Sequence, residues 1–194
     1  MLSSGMTQEV DRCRAAIEKA RAGATVAFVS SGDAGVYGMA GLAIEMVAAE
    51  GIHVPIEIVA GVSAANAAAA RFGAPLMLDY ACISLSNLLV PWETIRRRVE
   101  ATAAADLVTA LYNPKSKKRV KQVEEVAAIF RKHRPGTTPV GIATSVGSGE
   151  ERLTLTDLDH FLEVEMTMRT VVIIGNTSSK CLNGWFVTPR GYKL

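Results

Sequence analysis

Thr25-Val26-Ala27-Phe28-Val29-Ser30-Ser31-Gly32-Asp33-Ala34-Gly35-Val36-Tyr37-Gly38-Met39-Ala40-Gly41 passes from a short β-branched apolar run, through small residues, into a helical pattern. Residues 25–30 read as a strand, and the apolar periodicity of residues 36–50, closed by Gly51, reads as a helix. A loop stripped of Cβ atoms at the carboxyl end of a strand lets a ligand approach the main chain, as in the open α/β sheets that bind nucleotides. The glycine spacing is not that of a dinucleotide fingerprint, and Asp33 beside a pyrophosphate would repel it. A carboxylate here suits a ribose hydroxyl or a cation. Gly38 and Gly41 also fit a purely structural role, close packing of the helix on its sheet.

Working outward, the same unit recurs. Upstream, Thr7 can cap a helix with Glu9 and Asp11 in its first turn, an apolar side of Val10, Cys13, Ile17 and Ala20, and a stop at Gly23. Downstream come a strand at 56–59 with a helix at 64–72, and a strand at 81–85 with a helix that Pro91 can begin. A strand at 107–111 then precedes a helix at 118–132. Alternation at this spacing predicts an α/β fold with a parallel, helix-covered sheet. Beyond Pro135 the rhythm changes to strands at 139–143, 152–156 and 171–174 with one short helix between, which predicts a mixed or antiparallel sheet. The expected organisation is an N-terminal α/β lobe over residues 1–88 and a C-terminal α/β lobe over 89–194, with no repeat of fixed period.

Composition narrows the classes. The chain has 194 residues, 49% hydrophobic and 21% charged, which excludes disordered and collagen-like chains. The longest uncharged stretch, residues 135–149, is too short and too polar to span a bilayer. With no secretory or transit pattern at the start, the expected location is cytoplasmic. Cys13, Cys82 and Cys181 fit neither a disulfide framework nor a zinc knuckle, and His53, His133 and His160 are isolated, so no metal site is expected. Net charge is only +2, yet the basic residues concentrate between Pro91 and Arg134. Part of that excess lies in Tyr112-Asn113-Pro114-Lys115-Ser116-Lys117-Lys118-Arg119, where no aromatic is interleaved with the cations. A carboxylate-rich small molecule fits this loop as well as nucleic acid does.

The turn Ala60-Gly61-Val62-Ser63-Ala64-Ala65-Asn66 has two readings. It is close to a hydrolase nucleophile elbow, but Ala65 replaces the closing glycine, and the later Asp157 and His160 are near neighbours in sequence. The preferred reading makes Ser63 a cap that offers its hydroxyl and the free N–H groups of the helix start to a ligand.

These stretches, with Pro91-Trp92-Glu93, Ile173-Ile174-Gly175-Asn176 and Thr188-Pro189-Arg190-Gly191-Tyr192, resemble the tetrapyrrole (corrin/porphyrin) methyltransferases, and most closely their precorrin C-17 branch. The resemblance covers nearly the whole chain in family order. It implies two α/β lobes enclosing S-adenosylmethionine, the N-terminal one with a mostly parallel sheet and the C-terminal one with a mixed sheet. By position, Gly32, Asp33, Val36, Ser63, Ala64, Tyr112, Asn113, Thr170 and Val171 correspond to cofactor contacts. Family members usually have proline where Ala34 stands. The family also begins with a strand and a glycine-proline-rich loop ahead of Ser3-Ser4-Gly5-Met6, and neither is present in this sequence.

The activity so implied is methyl transfer from S-adenosylmethionine to C-17 of a precorrin, or of its cobalt counterpart, with ring contraction in cobalamin biosynthesis. The substrate's peripheral carboxylates give Lys115 and Arg119 a partner, together with the Arg96 to Arg98 stretch. No general base is assigned. A homodimer is expected, with no nucleic acid or membrane partner. The competing readings are a sibling methyltransferase acting at another carbon, a truncated protein that binds a tetrapyrrole or S-adenosylmethionine without turnover, and a nucleic-acid methylating relative.

Overall fold

The computed structural model describes residues 8–116 and 119–193. Thr7, the expected helix cap, lies outside the described residues, as do Lys117 and Lys118. The chain divides into two compact units, residues 1–63 and 64–194.

In the first unit, α1 (Glu9–Arg21) carries acids in its first turn and Lys19 and Arg21 in its last, the charge order that the helix dipole favours. α2 (Ala40–Ala49) meets it through a small core of Cys13, Ile17 and Met46, extended by Leu42, Val47 and Ile52. Both helices run into a glycine with positive φ, Gly23 at +87° and Gly51 at +62°, which frees the chain to turn away. The second helix starts at residue 40 rather than 36. Tyr37 takes φ +53°, and the Ala40 N–H donates to the Ala34 carbonyl at 3.0 Å, so the preceding residues form a closed loop.

The strands expected at 25–30 and 56–59 are a correction: among the described residues neither segment joins a ladder. Residues 25–30 carry apolar side chains on both faces, the pattern of a strand whose two sheet faces are covered, whereas residues 56–59 carry Ile56 and Ile58 on one face and Glu57 and Val59 on the other. Neither segment has ladder partners among the described residues, and Val29 and Val59 are left 83% and 73% exposed.

The second unit is built on a five-stranded sheet ordered β2-β3-β6-β4-β5. Its strands are β2 (Tyr80–Ser84), β3 (Val108–Tyr112), β4 (Pro139–Thr144), β5 (Arg152–Asp157) and β6 (Thr170–Ile174). β2 and β3 are parallel and the other pairings antiparallel. The expected change of sheet type beyond Pro135 is therefore present. β2, which the sequence places before the joint near residue 88, pairs in this sheet.

Strand alternation sorts side chains to two faces. Leu111, Val140, Ile142, Val172 and Ile174 face α4 (Trp92–Ala104), α5 (Lys121–Arg131) and the short 3-10 helix Phe161–Glu163. Val108, Ala110, Tyr112, Val171 and Ile173 face α3 (Ala64–Phe72). The alanine-rich α3 lies close to its sheet, and a Cβ on Gly141 would come within 2.7 Å of the Phe72 ring. A smaller sheet, β1 (Gly73–Ala74), β8 (Trp185–Val187) and β7 (Lys180–Leu182), adds to this face through Phe186. Its hairpin turns through Asn183 at φ +49° and Gly184 at +85°, a pair suited to a two-residue turn.

Arg134 fastens the other end of the large sheet. Its side chain is fully buried and donates to the carbonyls of Leu107 (2.7 Å), Thr102 (3.5 Å) and Gly175. Asp106 lies 3.5 Å away and the Phe130 ring lies beneath the guanidinium. Burial pulls the Arg134 pKa down to about 10, against the opposing pull of Asp106.

Candidate ligand site

In the first unit, Asp33 organises the glycine loop. One carboxylate oxygen accepts the N–H of Gly35 (2.8 Å) and of Val36 (3.1 Å), and the other accepts the N–H of Gly61 (2.9 Å). The Gly61 bond, then that of Gly35, holds its carboxyl below the usual carboxylate range. A carboxylate has about four acceptor positions, so Asp33 can still take a hydroxyl donor. Gly32 at φ +78° occupies left-handed space.

Two other glycines are dictated by contact. A Cβ on Gly38 would fall 2.4 Å from the Ala34 carbonyl oxygen, and one on Gly61 2.2 Å from that of Gly32. Gly41 faces open space, so of the two structural glycines expected, only Gly38 is required by packing, and against its own loop rather than a sheet. Val36 is exposed.

In the second unit, the sheet register gathers Tyr112, Asn113, Thr170 and Val171 at one end. Tyr112 pairs with Ser84 on one side and with Val171 on the other. The buried Tyr112 hydroxyl accepts the N–H of Ala65 at 2.9 Å, so it takes up one of the free donors at the start of α3, beside Ala64. Asn113 follows at φ +50°. Its amide donates to Ser84 Oγ at 3.1 Å, and its carbonyl accepts from the Arg119 guanidinium at 2.7 Å. Ser84 escaped the sequence reading because its role rests on a cross-strand pairing that no local motif announces.

Other expected residues are placed differently. Thr170 is fully buried, and its hydroxyl is shared with Thr144 (2.7 Å) and with the Thr167 N–H (2.9 Å); any contribution to a ligand falls to its backbone. Arg119 turns inward onto Asn113, and burial lowers its pKa. A bridge between Ser116 and Arg119 closes the basic loop, and Lys115 is half-buried. Arg96 is not free for an anionic ligand: Glu93, Glu100 and Glu125 surround it, first Glu93 raising its pKa.

Asp157 and His160 pair with each other at 2.6 Å, but at the Pro139 end of the sheet, opposite Tyr112. Among the described residues there is no group of three His, Cys, Asp or Glu placed to hold a metal ion, and no helix is long and apolar enough to cross a membrane.

Comparison with known proteins bears on this arrangement. A cobalt-factor III methyltransferase of Priestia megaterium is 46% identical over this whole chain, which spans 36% of that protein. A probable cobalt-factor III C(17)-methyltransferase of Salmonella typhimurium is 42% identical over the whole chain and 80% of its own length. The crystal structure of the methyltransferase CobJ superposes with a TM-score of 0.87 at 38% identity, over 93% of this chain and 77% of that one. A uroporphyrin-III C-methyl transferase of Thermus thermophilus, solved with S-adenyl homocysteine, shares the fold at a TM-score of 0.65 and 19% identity, over 87% of this chain and 74% of that one. The family model of the Tetrapyrrole (Corrin/Porphyrin) Methylases matches residues 3–162, and the chain belongs to that family.

Proposed function

We propose that this chain catalyses transfer of a methyl group from S-adenosylmethionine to C-17 of a precorrin, with ring contraction, in cobalamin biosynthesis. The observation that carries the reading is the Asp33 loop. Its backbone is bared at Gly32 and closed on the Gly61 segment by direct packing, and its carboxylate is fixed by three N–H groups yet able to accept a hydroxyl, which fits the ribose of an adenosyl group. The names of the relatives favour a cobalt-bearing substrate.

Gly32, Asp33, Val36 and Ser63 in the first unit, and Ala64, Tyr112, Asn113, Thr170 and Val171 in the second, are the proposed contacts with the methyl donor. That donor supplies an electrophilic methyl on a sulfonium centre. The protein's part is to hold the donor and the ring carbon in near contact and in line, since orientation of this kind can supply about 7–11 kcal/mol of a barrier. A dry, weakly polar surround favours a step in which the cationic donor loses its charge. Lys115, and those Arg119 donors not given to Asn113, are proposed to meet the substrate's carboxylates. A cytoplasmic homodimer without nucleic-acid partners completes the reading.

Titration of the purified chain with S-adenosylhomocysteine, followed by incubation with donor and precorrin, tests it. Binding followed by a C-17 methylated product supports the proposal, whereas no binding at millimolar ligand overturns it. In turnover assays, Lys115→Glu with Arg119→Glu is expected to raise the KM for the tetrapyrrole, and an unchanged KM removes those two residues from the substrate contacts.

A further inference from the structure

Between the end of β2 and the start of α4 runs Leu85-Ser86-Asn87-Leu88-Leu89-Val90-Pro91. Its two ends are anchored. Leu85 is fully buried and its N–H donates to the Tyr112 carbonyl at 2.9 Å, while Val90 and Trp92 pack on the core and the Trp92 indole N–H donates to Glu125 at 2.8 Å. Between these anchors Leu88 and Leu89 stand 75% and 91% exposed. Scattered single apolar residues on a surface need no explanation, but two adjacent exposed leucines between anchored flanks present a continuous apolar surface.

The position of that surface indicates what it meets. β2 and β3 are parallel neighbours with Ser84 opposite Tyr112, so the leucine loop and the basic Asn113–Arg119 loop leave the same sheet end from adjacent strands, which lie about 5 Å apart. The Asn113 amide bond to Ser84 at 3.1 Å ties the two loops at their roots. An apolar pair beside Lys115 and Arg119 complements a ligand with a broad apolar body and anionic groups on its rim.

We propose that Leu88 and Leu89 form a platform for one face of the tetrapyrrole ring, with the neighbouring cations taking its peripheral carboxylates. The platform rests on the function proposed above, and it assigns the ring's face to a segment distinct from the donor contacts.

The test uses the full chain and two ligands measured separately: uroporphyrin, a polycarboxylate porphyrin followed by its fluorescence, and S-adenosylhomocysteine followed by calorimetry. Both leucines lie outside the core, so Leu88→Ser with Leu89→Ser leaves the fold intact. Covering a leucine is worth roughly a tenfold change in affinity or more, and the double variant is expected to bind uroporphyrin at least tenfold more weakly with S-adenosylhomocysteine affinity unchanged. Equal uroporphyrin binding by both proteins overturns the platform while leaving the methyltransferase reading in place. Failure of the unaltered chain to bind uroporphyrin also overturns it, and the S-adenosylhomocysteine arm then tells whether the broader reading falls too. A change from dimer to monomer in the double variant, seen by sedimentation, assigns the leucines to a second copy of the chain and likewise overturns the platform.

Discussion

Replacing Gly61 with alanine tests whether the Asp33 loop is built by close backbone approach. The added Cβ would lie 2.2 Å from the Gly32 carbonyl oxygen and 3.2 Å from the Asp33 Cα, so the two segments must separate by about 1.2 Å to reach ordinary contact. The Gly61 N–H donates to Asp33 at 2.9 Å, and a shift of that size stretches this bond beyond hydrogen-bonding range. Overpacking of this kind costs about 1–3 kcal/mol, equivalent to roughly a 5- to 150-fold loss of ligand affinity if it falls on the bound conformation. Gly41→Ala is the matched control. It meets nothing within 4 Å and lies inside α2, where alanine is the better helix former by about 0.5–1 kcal/mol. Calorimetric titration with S-adenosylhomocysteine and thermal melting of both variants provide the assay. Gly61→Ala is expected to lose affinity within that range, and Gly41→Ala to bind normally and melt no lower than the parent. Wild-type affinity in Gly61→Ala would refute the claim that this glycine is dictated by the Gly32 carbonyl.

Arg134→Met takes the guanidinium donors from the carbonyls of Leu107, which keeps the Thr109 hydroxyl, and Gly175, and leaves Asp106 without its cation. A loss of about 1–3 kcal/mol is expected on chemical denaturation from the buried carbonyl groups so stripped, and Arg134→Lys is expected to recover little of it, because an ammonium cannot reproduce the planar fork. The Asp157–His160 pair gives a pH signature. Hydrogen bonding to Asp157 raises the His160 pKa; burial pushes the Asp157 carboxyl up, but its bonds to His160 outweigh that and hold it low. The histidine's contribution is therefore complete below its unfolded pKa and vanishes as pH rises through the folded one, while the aspartate's vanishes as pH falls through its own depressed pKa. His160→Gln is expected to lower Tm near pH 5.5 and to leave it unchanged near pH 9; an equal drop at both would mean that the imidazole contributes by packing alone.

The helices and the strands of the five-stranded sheet were legible because each shows a local pattern of its own. The apolar positions of α5, Val123, Val126, Ala127 and Phe130, repeat at three and four residues, and β3 and β6 are short apolar runs bounded by breakers. Residues 25–30 and 56–59 show the limit of that reasoning. A β-branched apolar run states what a segment needs around it, and pairing depends on partners that periodicity does not supply. The β7–β8 hairpin was missed although Asn183-Gly184 signals one, because its strands are only three residues long and buried mainly at Phe186.

The candidate site divides in the same manner. Gly32, Asp33, Tyr112 and Asn113 could be selected because glycine-rich and post-strand loops advertise themselves, yet their bonding was not readable from type alone. Asp33 was expected to face a ligand or a cation, and its first three partners turn out to be backbone donors, two from its own loop and one 28 residues away. Arg119 was expected to face a substrate carboxylate, and one of its donors goes to the Asn113 carbonyl. In both cases the charged side chain first fixes the backbone that would present the ligand-binding groups. Such a group is costly to replace by a neutral one even if it never touches the ligand, so loss of activity on mutating Asp33 or Arg119 cannot by itself assign a contact. Separate affinities for S-adenosylhomocysteine and for the tetrapyrrole can. A residue that positions the donor loop shifts the first, and one that meets a carboxylate shifts the second with a dependence on salt.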